Sequence, residues 1–377
     1  MKRLAAPLGF LAATRLVLNT GYRLVYPFLP AISRGLGISL DRAGVLVSAR
    51  NLAGAATPAL VAAGKRSTRT LILLALSLFG LGAAITTVTT AFWGAFAGFV
   101  LMGMGKPAFD VGAMTYVADR TPYQRRARVM SVLELTWAGG LLVGAPAAGW
   151  LIDRSGWEAP FWVIAVLVGL AALAAFRLLE GARPGDGEQA GAARLDRSGK
   201  ALLVVFLLFS TAAELVFVVL GSWLELEFGL TIIELGVFAA VVGLSELSGE
   251  SFTLVFADRV GKRNAVMLGI GLALTGYVAI GVIGGSLTGG LVAAAVTFFG
   301  FEITIVSALP FATEVQPASR SRYLGLIQVA MATARAAGAL AGNPLFDAFG
   351  IRANAGIAAL LNLAALAVLY RVVREHD

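Results

Sequence analysis

Gly64-Lys65-Arg66-Ser67-Thr68-Arg69 and Asp258-Arg259-Val260-Gly261-Lys262-Arg263 occupy the same place in two tandem halves of one chain. A shift of 194 positions, from Gly64 to Asp258, carries the first stretch onto the second. The same shift carries Arg126 onto Arg320, Arg128 onto Arg322, Glu134 onto Gln328, Gly144 onto Gly338, Asp153 onto Asp347 and Gly156 onto Gly350. One register aligns two basic loops and the far end of the helix that follows. Chance similarity between apolar stretches rarely does that, so the chain reads as a duplicated unit.

Composition says where such a unit lives. Of the 377 residues, 58% are hydrophobic and 14% charged, with a mean hydropathy of +0.83. A soluble domain carries about 25% charged residues. The apolar excess comes in stretches of about 20 residues, long enough as helices to cross a hydrocarbon core of roughly 30 Å. Twelve are expected: 5–30, 43–63, 70–91, 93–117, 129–152, 159–179, 200–222, 233–256, 265–286, 289–312, 323–345 and 353–371. The runs are continuously apolar rather than alternating, which predicts helices and not a barrel. The first run is too long for a signal-peptide core and lacks a small-residue cleavage site, so it stays as span 1.

The net charge of +8 is a topology signal. With the N-terminus placed in the cytoplasm, 21 of the 30 Lys and Arg residues fall in cytoplasmic segments and 4 in outer loops. That asymmetry is the positive-inside pattern, so both termini are expected in the cytoplasm and nucleic acid is not expected as a partner. There is no Cys, hence no disulfide or thiolate metal site. No phosphate-binding loop or metal-ligand cluster stands out, which argues against an ATP-driven pump, a membrane enzyme or a bound cofactor.

The one long polar stretch, 180–199, is rich in Gly, Ala and charge and reads as a flexible linker between six-helix halves at 1–179 and 200–377. Ala257-Asp258-Arg259-Val260-Gly261-Lys262-Arg263, between spans 8 and 9, resembles the loop signature of the major facilitator superfamily. Tyr26-Pro27-Phe28-Leu29-Pro30, and Asp119-Arg120 with Pro122 and Arg125-Arg126, also resemble that family. Gly140, Gly144, Pro146 and Gly149 on span 5 are similar to the motif of its antiporter branches. The resemblance implies an all-α membrane protein: twelve transmembrane helices in two pseudo-symmetric six-helix bundles around a central cavity. It also implies a gating role for Asp258, Arg259, Gly261, Lys262 and Arg263, and for Gly144, Pro146 and Gly149. For the span 5 glycines the plainer reading is packing, since small residues spaced by four let transmembrane helices approach closely. The first copy of the loop departs from the signature, with Gly64 where the aspartate belongs and Ser67 where the glycine belongs.

Eleven ionisable residues fall inside the expected spans: Arg15, Arg23, Arg50, Lys106, Asp110, Glu134, Glu214, Glu246, Glu250, Glu302 and Arg335. Spans 3, 6, 9 and 12 have none away from their ends, and these are the spans that the resembled fold turns toward lipid. Each such charge costs about 2.5–3.5 kcal/mol on insertion scales, so it is kept where it faces protein or water. The first half holds four bases and two acids, the second one base and four acids. Arg15, Asn19 and Arg23, four apart, form one polar stripe on span 1. Lys106 and Asp110 have the same spacing and are expected either to pair or to act.

Three roles remain open for these charges. Arg15, Arg23 and Arg50, with Asn19, Lys106 and Trp137, can hold an anionic substrate, since guanidinium presents a fixed fork of donors. Glu214, Glu246, Glu302, Asp110 and Glu134 can carry protons, since desolvation brings a carboxyl toward exchange near neutral pH. Alternatively, opposite charges lock the halves together. Trp137, Trp150, Trp157 and Trp162 are expected mostly as interfacial anchors, with Trp137, Tyr22 and Tyr26 as candidates to face the cavity. The expected protein is a monomeric multi-pass transporter in a prokaryotic cytoplasmic membrane. Its expected work is proton-coupled export of a small amphipathic or anionic molecule by alternating access. A lysolipid or lipid-linked carrier, a proton-symport importer and a non-transporting sensor are the alternatives.

Overall fold

The computed structural model describes residues 2–57, 67–180 and 195–373, without the side chains of 2–5, 123–128, 257–258, 318 and 321. Among the described residues all regular structure is helical. Two compact units form: Met1–Gly187 with Thr231–Ala240, and Glu188–Leu230 with Val241–Asp377. Most of the expected linker, 181–194, lies outside the described residues, as do Lys65 and Arg66 of the first basic loop.

The first unit contains α1 (Lys2–Arg23), α2 (Val25–Gly35), α3 (Leu40–Gly54), α4 (Thr68–Val88), α5 (Phe92–Arg120), α6 (Tyr123–Glu134), α7 (Thr136–Gly139), a π-turn (Gly140–Gly144), α8 (Ala145–Ser155) and α9 (Ala159–Leu178). The second contains α10 (Arg197–Phe217), α11 (Leu220–Phe228), most of α12 (Ile232–Val260), α13 (Lys262–Ile283), α14 (Leu287–Val315), α15 (Arg320–Phe349) and α16 (Ile351–Val372). Nine helical stretches among the described residues are long and apolar enough to cross a membrane. The other three expected spans, 5–30, 43–63 and 93–117, are helical over nearly all their described residues, but α1 and α5 are diluted by polar residues and α3 is short. These three carry Arg15, Arg23, Arg50, Lys106 and Asp110. The polar content that makes them interesting is what lowers their hydropathy.

The 194-residue register recurs in the local geometry of both units. Span 1 breaks at Leu24 and span 7 at Val218, 194 positions on. In the first copy Pro27 lacks the N–H that would bond to Arg23 and its ring crowds that carbonyl. In the second copy Gly221 takes the place of Pro27 and weakens the helix instead. Gly156 and Gly350 both end a helix with positive φ, 91° and 72°, a region L side chains rarely adopt. Arg69 donates to the Phe176 carbonyl and Arg263 to the Tyr370 carbonyl at 2.9 Å, again 194 apart on both sides. Gly144 lies against Thr20 and Gly338 against Glu214, so the same helix crossing is built twice on a glycine. Small residues at such crossings let backbones approach, which is how helices associate where lipid supplies no hydrophobic drive.

The repeat fails at one turn. Gly261 has φ 85°, whereas its counterpart Ser67 has φ −64° and caps α4, its Oγ accepting from the Thr70 N–H at 3.2 Å. The first copy therefore enters its helix by an ordinary serine cap rather than a left-handed glycine turn.

Candidate functional site

The polar stripe on α1 faces the helix that follows the second basic loop. Arg15 Nε donates to Asp110 Oδ1 at 2.9 Å, and Nη1 and Nη2 donate to Glu134 Oε2 at 3.2 Å. Nη1 also donates to the Leu133 carbonyl. Asn19 Nδ2 donates to Thr136 Oγ1 at 3.1 Å, and Arg23 Nη1 to the Trp137 carbonyl at 3.1 Å. The four-residue spacing of the stripe thus meets consecutive turns of α6 and α7. The helix opens at Leu135 and passes into a π-turn after Gly139.

Lys106 and Asp110 pair on α5, using the oxygen that Arg15 Nε does not take. Asp110 therefore bridges two cations. The Arg15 and Lys106 side chains are 6% and 4% exposed, against 48% for Glu134, so the cations are the desolvated members. Trp137 sits within reach of both Arg23, 4.4 Å from its ring centre, and Lys106, at 5.6 Å. An indole face attracts cations, and in a desolvated site each contact contributes about 2 kcal/mol. Arg15, Asn19, Arg23, Lys106, Asp110, Glu134 and Trp137 form one cluster. Its internal ion pairs join helices of a single unit.

Arg50 is separate from that cluster. Its guanidinium is fully buried on α3, 3.9 Å from the Tyr22 ring centre and 5.1 Å from that of Tyr26. Nη1 donates to the Tyr22 carbonyl at 2.5 Å, while Nε and Nη2 have no acceptor among the described residues. Tyr22 is held by its hydroxyl, which donates to Asn51 Oδ1 at 2.9 Å. Gly103 on α5 lies directly under the Arg50 backbone.

In the second unit Glu214, Glu246, Glu250 and Glu302 are all buried, on α10, α12, α12 and α14. A Cβ built on Gly249 would lie 3.0 Å from that of Glu302, so α14 brings Glu302 against the turn between Glu246 and Glu250. Glu214 packs on Gly338 of α15.

Of the residues expected at the gate, the Asp258 side chain lies outside the described residues and Arg259 is exposed. Lys262 pairs with Glu314 at the end of α14. Arg263 donates to the Leu369, Tyr370 and Val373 carbonyls at 3.4, 2.9 and 3.2 Å, satisfying the C-terminal turn of α16. Gly144 abuts Thr20, Pro146 opens α8 just after the π-turn, and Gly149 lies near Phe28 and the Ile232 carbonyl. Trp157 corrects an expectation: it is buried against Gly35 and Phe161 instead of anchoring at the interface, while Trp150 and Trp162 are about half exposed.

Several participants carry no local signal. The Leu133 and Tyr22 carbonyls are backbone atoms, and Asn51 is one polar residue on a polar helix. Glu314 joins Lys262 only through the contact of α13 with α14. Asp196 caps α10 at Gly199, accepts from Gln316, and lies beside the Tyr323 hydroxyl that donates to the Gly199 carbonyl. Those ends meet only in three dimensions.

A family model described as Major Facilitator Superfamily matches residues 11–316. The chain is 30% identical over 148 residues to the uncharacterized MFS-type transporter YwfA of Bacillus subtilis, covering 37% of this chain and 34% of that relative. It is 28% identical over 280 residues to the class C tetracycline resistance protein of Escherichia coli, 68% of this chain and 69% of that one. Among solved structures, a bacterial homolog to the human lysosomal transporter Spinster, in an inward-facing and occupied conformation, superposes with a TM-score of 0.77. It is 15% identical and covers 98% of this chain and 97% of that one, a likeness of fold.

Proposed function

The chain belongs to the Major Facilitator Superfamily, and on that premise we propose proton-coupled export of a small amphipathic or anionic organic molecule by alternating access. The protein is a multi-pass membrane transporter of a family that carries small-molecule substrates. In this reading it acts as a monomer in a cytoplasmic membrane, with both termini inside. The observation that carries the proposal is the buried cluster on α1, α5, α6 and α7. Two cations and two carboxylates in membrane-spanning helices are kept where they serve a pathway. The match to a tetracycline resistance protein over most of both chains supports export as the direction.

Arg15, Asn19, Arg23, Arg50, Lys106 and Trp137 are the proposed substrate contacts. Glu214, Glu246, Glu302, Asp110 and Glu134 are the proposed proton carriers, and the basic loop after α12 with the span 5 glycines is the proposed gate. Glu214 is the first candidate for coupling, because it occupies in α10 the place that Thr20 occupies beside the α1 stripe. Glu214→Gln, Glu246→Gln and Glu302→Gln are expected to separate two activities in proteoliposomes. The coupling variant should lose gradient-driven transport but retain exchange of substrate across the bilayer. Gradient-driven transport that survives in all three, and in Asp110→Asn and Glu134→Gln, would remove protons from the mechanism. Lysolipids belong in the substrate panel, so that a lipid-like cargo registers as such.

A further inference from the structure

Arg15 and Arg50 are both buried arginines of the first unit, but their donors are spent differently. Arg15 places its fork on two carboxylates and a carbonyl. Arg50 uses one nitrogen, Nη1, on a carbonyl, and two tyrosine rings cover its faces. Among the described residues Nε and Nη2 have no acceptor, and these two atoms make up one edge of the guanidinium. Their N–H bonds run parallel, at the spacing of the two oxygens of a carboxylate. The ring contacts soften the charge but accept no hydrogen bond. A buried donor left unmade is expensive, and a charged one more so. Such an edge is retained where an acceptor arrives from outside the chain.

Resting on the transporter reading above, we infer that Arg50 is the anion subsite: its Nε/Nη2 edge takes the carboxylate of the cargo side-on. Tyr22 and Tyr26 hold the guanidinium over their rings and so fix the direction of that edge. Asn51 is a positioning residue, holding Tyr22 through its hydroxyl. Because Arg50 is fully buried here, anion entry requires the helices around it to part.

The test is residue-resolved modification of the intact protein in detergent with phenylglyoxal, read by mass spectrometry, with benzoate, phenylphosphonate, benzamide or benzylamine present. Benzoate is expected to protect Arg50 several-fold and to leave the exposed Arg42 unchanged. Protection by phenylphosphonate as strong as that by benzoate would replace carboxylate by phosphoryl groups. Protection by neutral benzamide, equal labelling with and without benzoate, or no labelling of Arg50 at all would overturn the subsite. In the last two cases the edge is met by internal water or never opens. Arg50→Lys keeps the charge and loses the fork, so it should weaken benzoate binding at least about tenfold. The labelling arm needs no variant, so it decides the subsite even where Arg50→Lys fails to fold. Driven transport with no protection at Arg50 refutes the subsite alone, and protection without driven transport refutes coupling alone.

Discussion

Asp110→Ala is expected to destabilise the folded protein by about 3–5 kcal/mol, the penalty for breaking a buried ion pair by removing one partner. Asp110 holds Arg15 Nε with one oxygen and Lys106 with the other. Its removal leaves two cations, each almost wholly desolvated, with only the half-exposed Glu134 to answer Arg15. Asp110→Asn keeps an acceptor without the charge and should fall between. Removing both members on α5, as in Lys106→Met with Asp110→Leu, should recover much of the loss. An apolar pair of similar volume replaces a buried ion pair at little cost. Heat unfolding in detergent, followed by tryptophan fluorescence, ranks the three variants against the parent. If Asp110→Ala unfolds within a degree of the parent, the cluster is not what joins α1 to α5.

Gly103→Val should be nearly as damaging, for a reason of volume. A Cβ at Gly103 would stand 2.8 Å from the Arg50 carbonyl carbon and 2.9 Å from its Cα, with the carbonyl oxygen closer still. These are backbone atoms, so no rotamer change relieves the contact and α3 must move off α5. Overpacking of this kind costs about 1–3 kcal/mol and occasionally more. Alanine at 103 should fall in that range, and valine should exceed it and lower the yield of folded protein. Gly271→Ala is the control, since a Cβ there meets nothing within 4 Å. It should be neutral or slightly stabilising, because alanine favours a helix over glycine by about 1 kcal/mol. Equal melting temperatures for Gly103→Ala and Gly271→Ala would show that α3 has room to shift.

The duplication is legible in the sequence because it is written in residues whose reasons are local. A left-handed helix end needs the glycine that Gly156 and Gly350 supply, and the arginine after each basic loop, Arg69 or Arg263, reaches the carbonyls at the end of the span three further on. The stripe of Arg15, Asn19 and Arg23 is equally legible, since a four-residue spacing fixes a helix face. What that face meets is not. Leu133, Thr136 and Trp137 answer it because of how far α6 and α7 are rotated about their own axes, and nothing along one strand of sequence encodes that rotation. Lys106 and Asp110 can be paired from spacing alone, yet the second contact of Asp110, to Arg15, spans 95 positions. Trp157 reads as an interfacial anchor because it stands next to a loop. It is buried because Gly35 leaves an indole-sized space beneath it.

In the proposed mechanism a gradient of protons moves an organic anion through this protein, outward from the cell. Passive physics makes that testable. A weak acid that crosses lipid unaided collects on the alkaline side of a membrane, where it ionises. Export by exchange with protons, run in inverted proteoliposomes, does the opposite and drives the anion into an acidic lumen. With the membrane potential clamped by potassium and valinomycin, labelled aromatic carboxylates should accumulate in an acidic lumen. They should do so only when the protein is present, and leave when an ionophore collapses the gradient. Accumulation in an alkaline lumen alone, or flux indifferent to the proton gradient, would contradict proton-driven export.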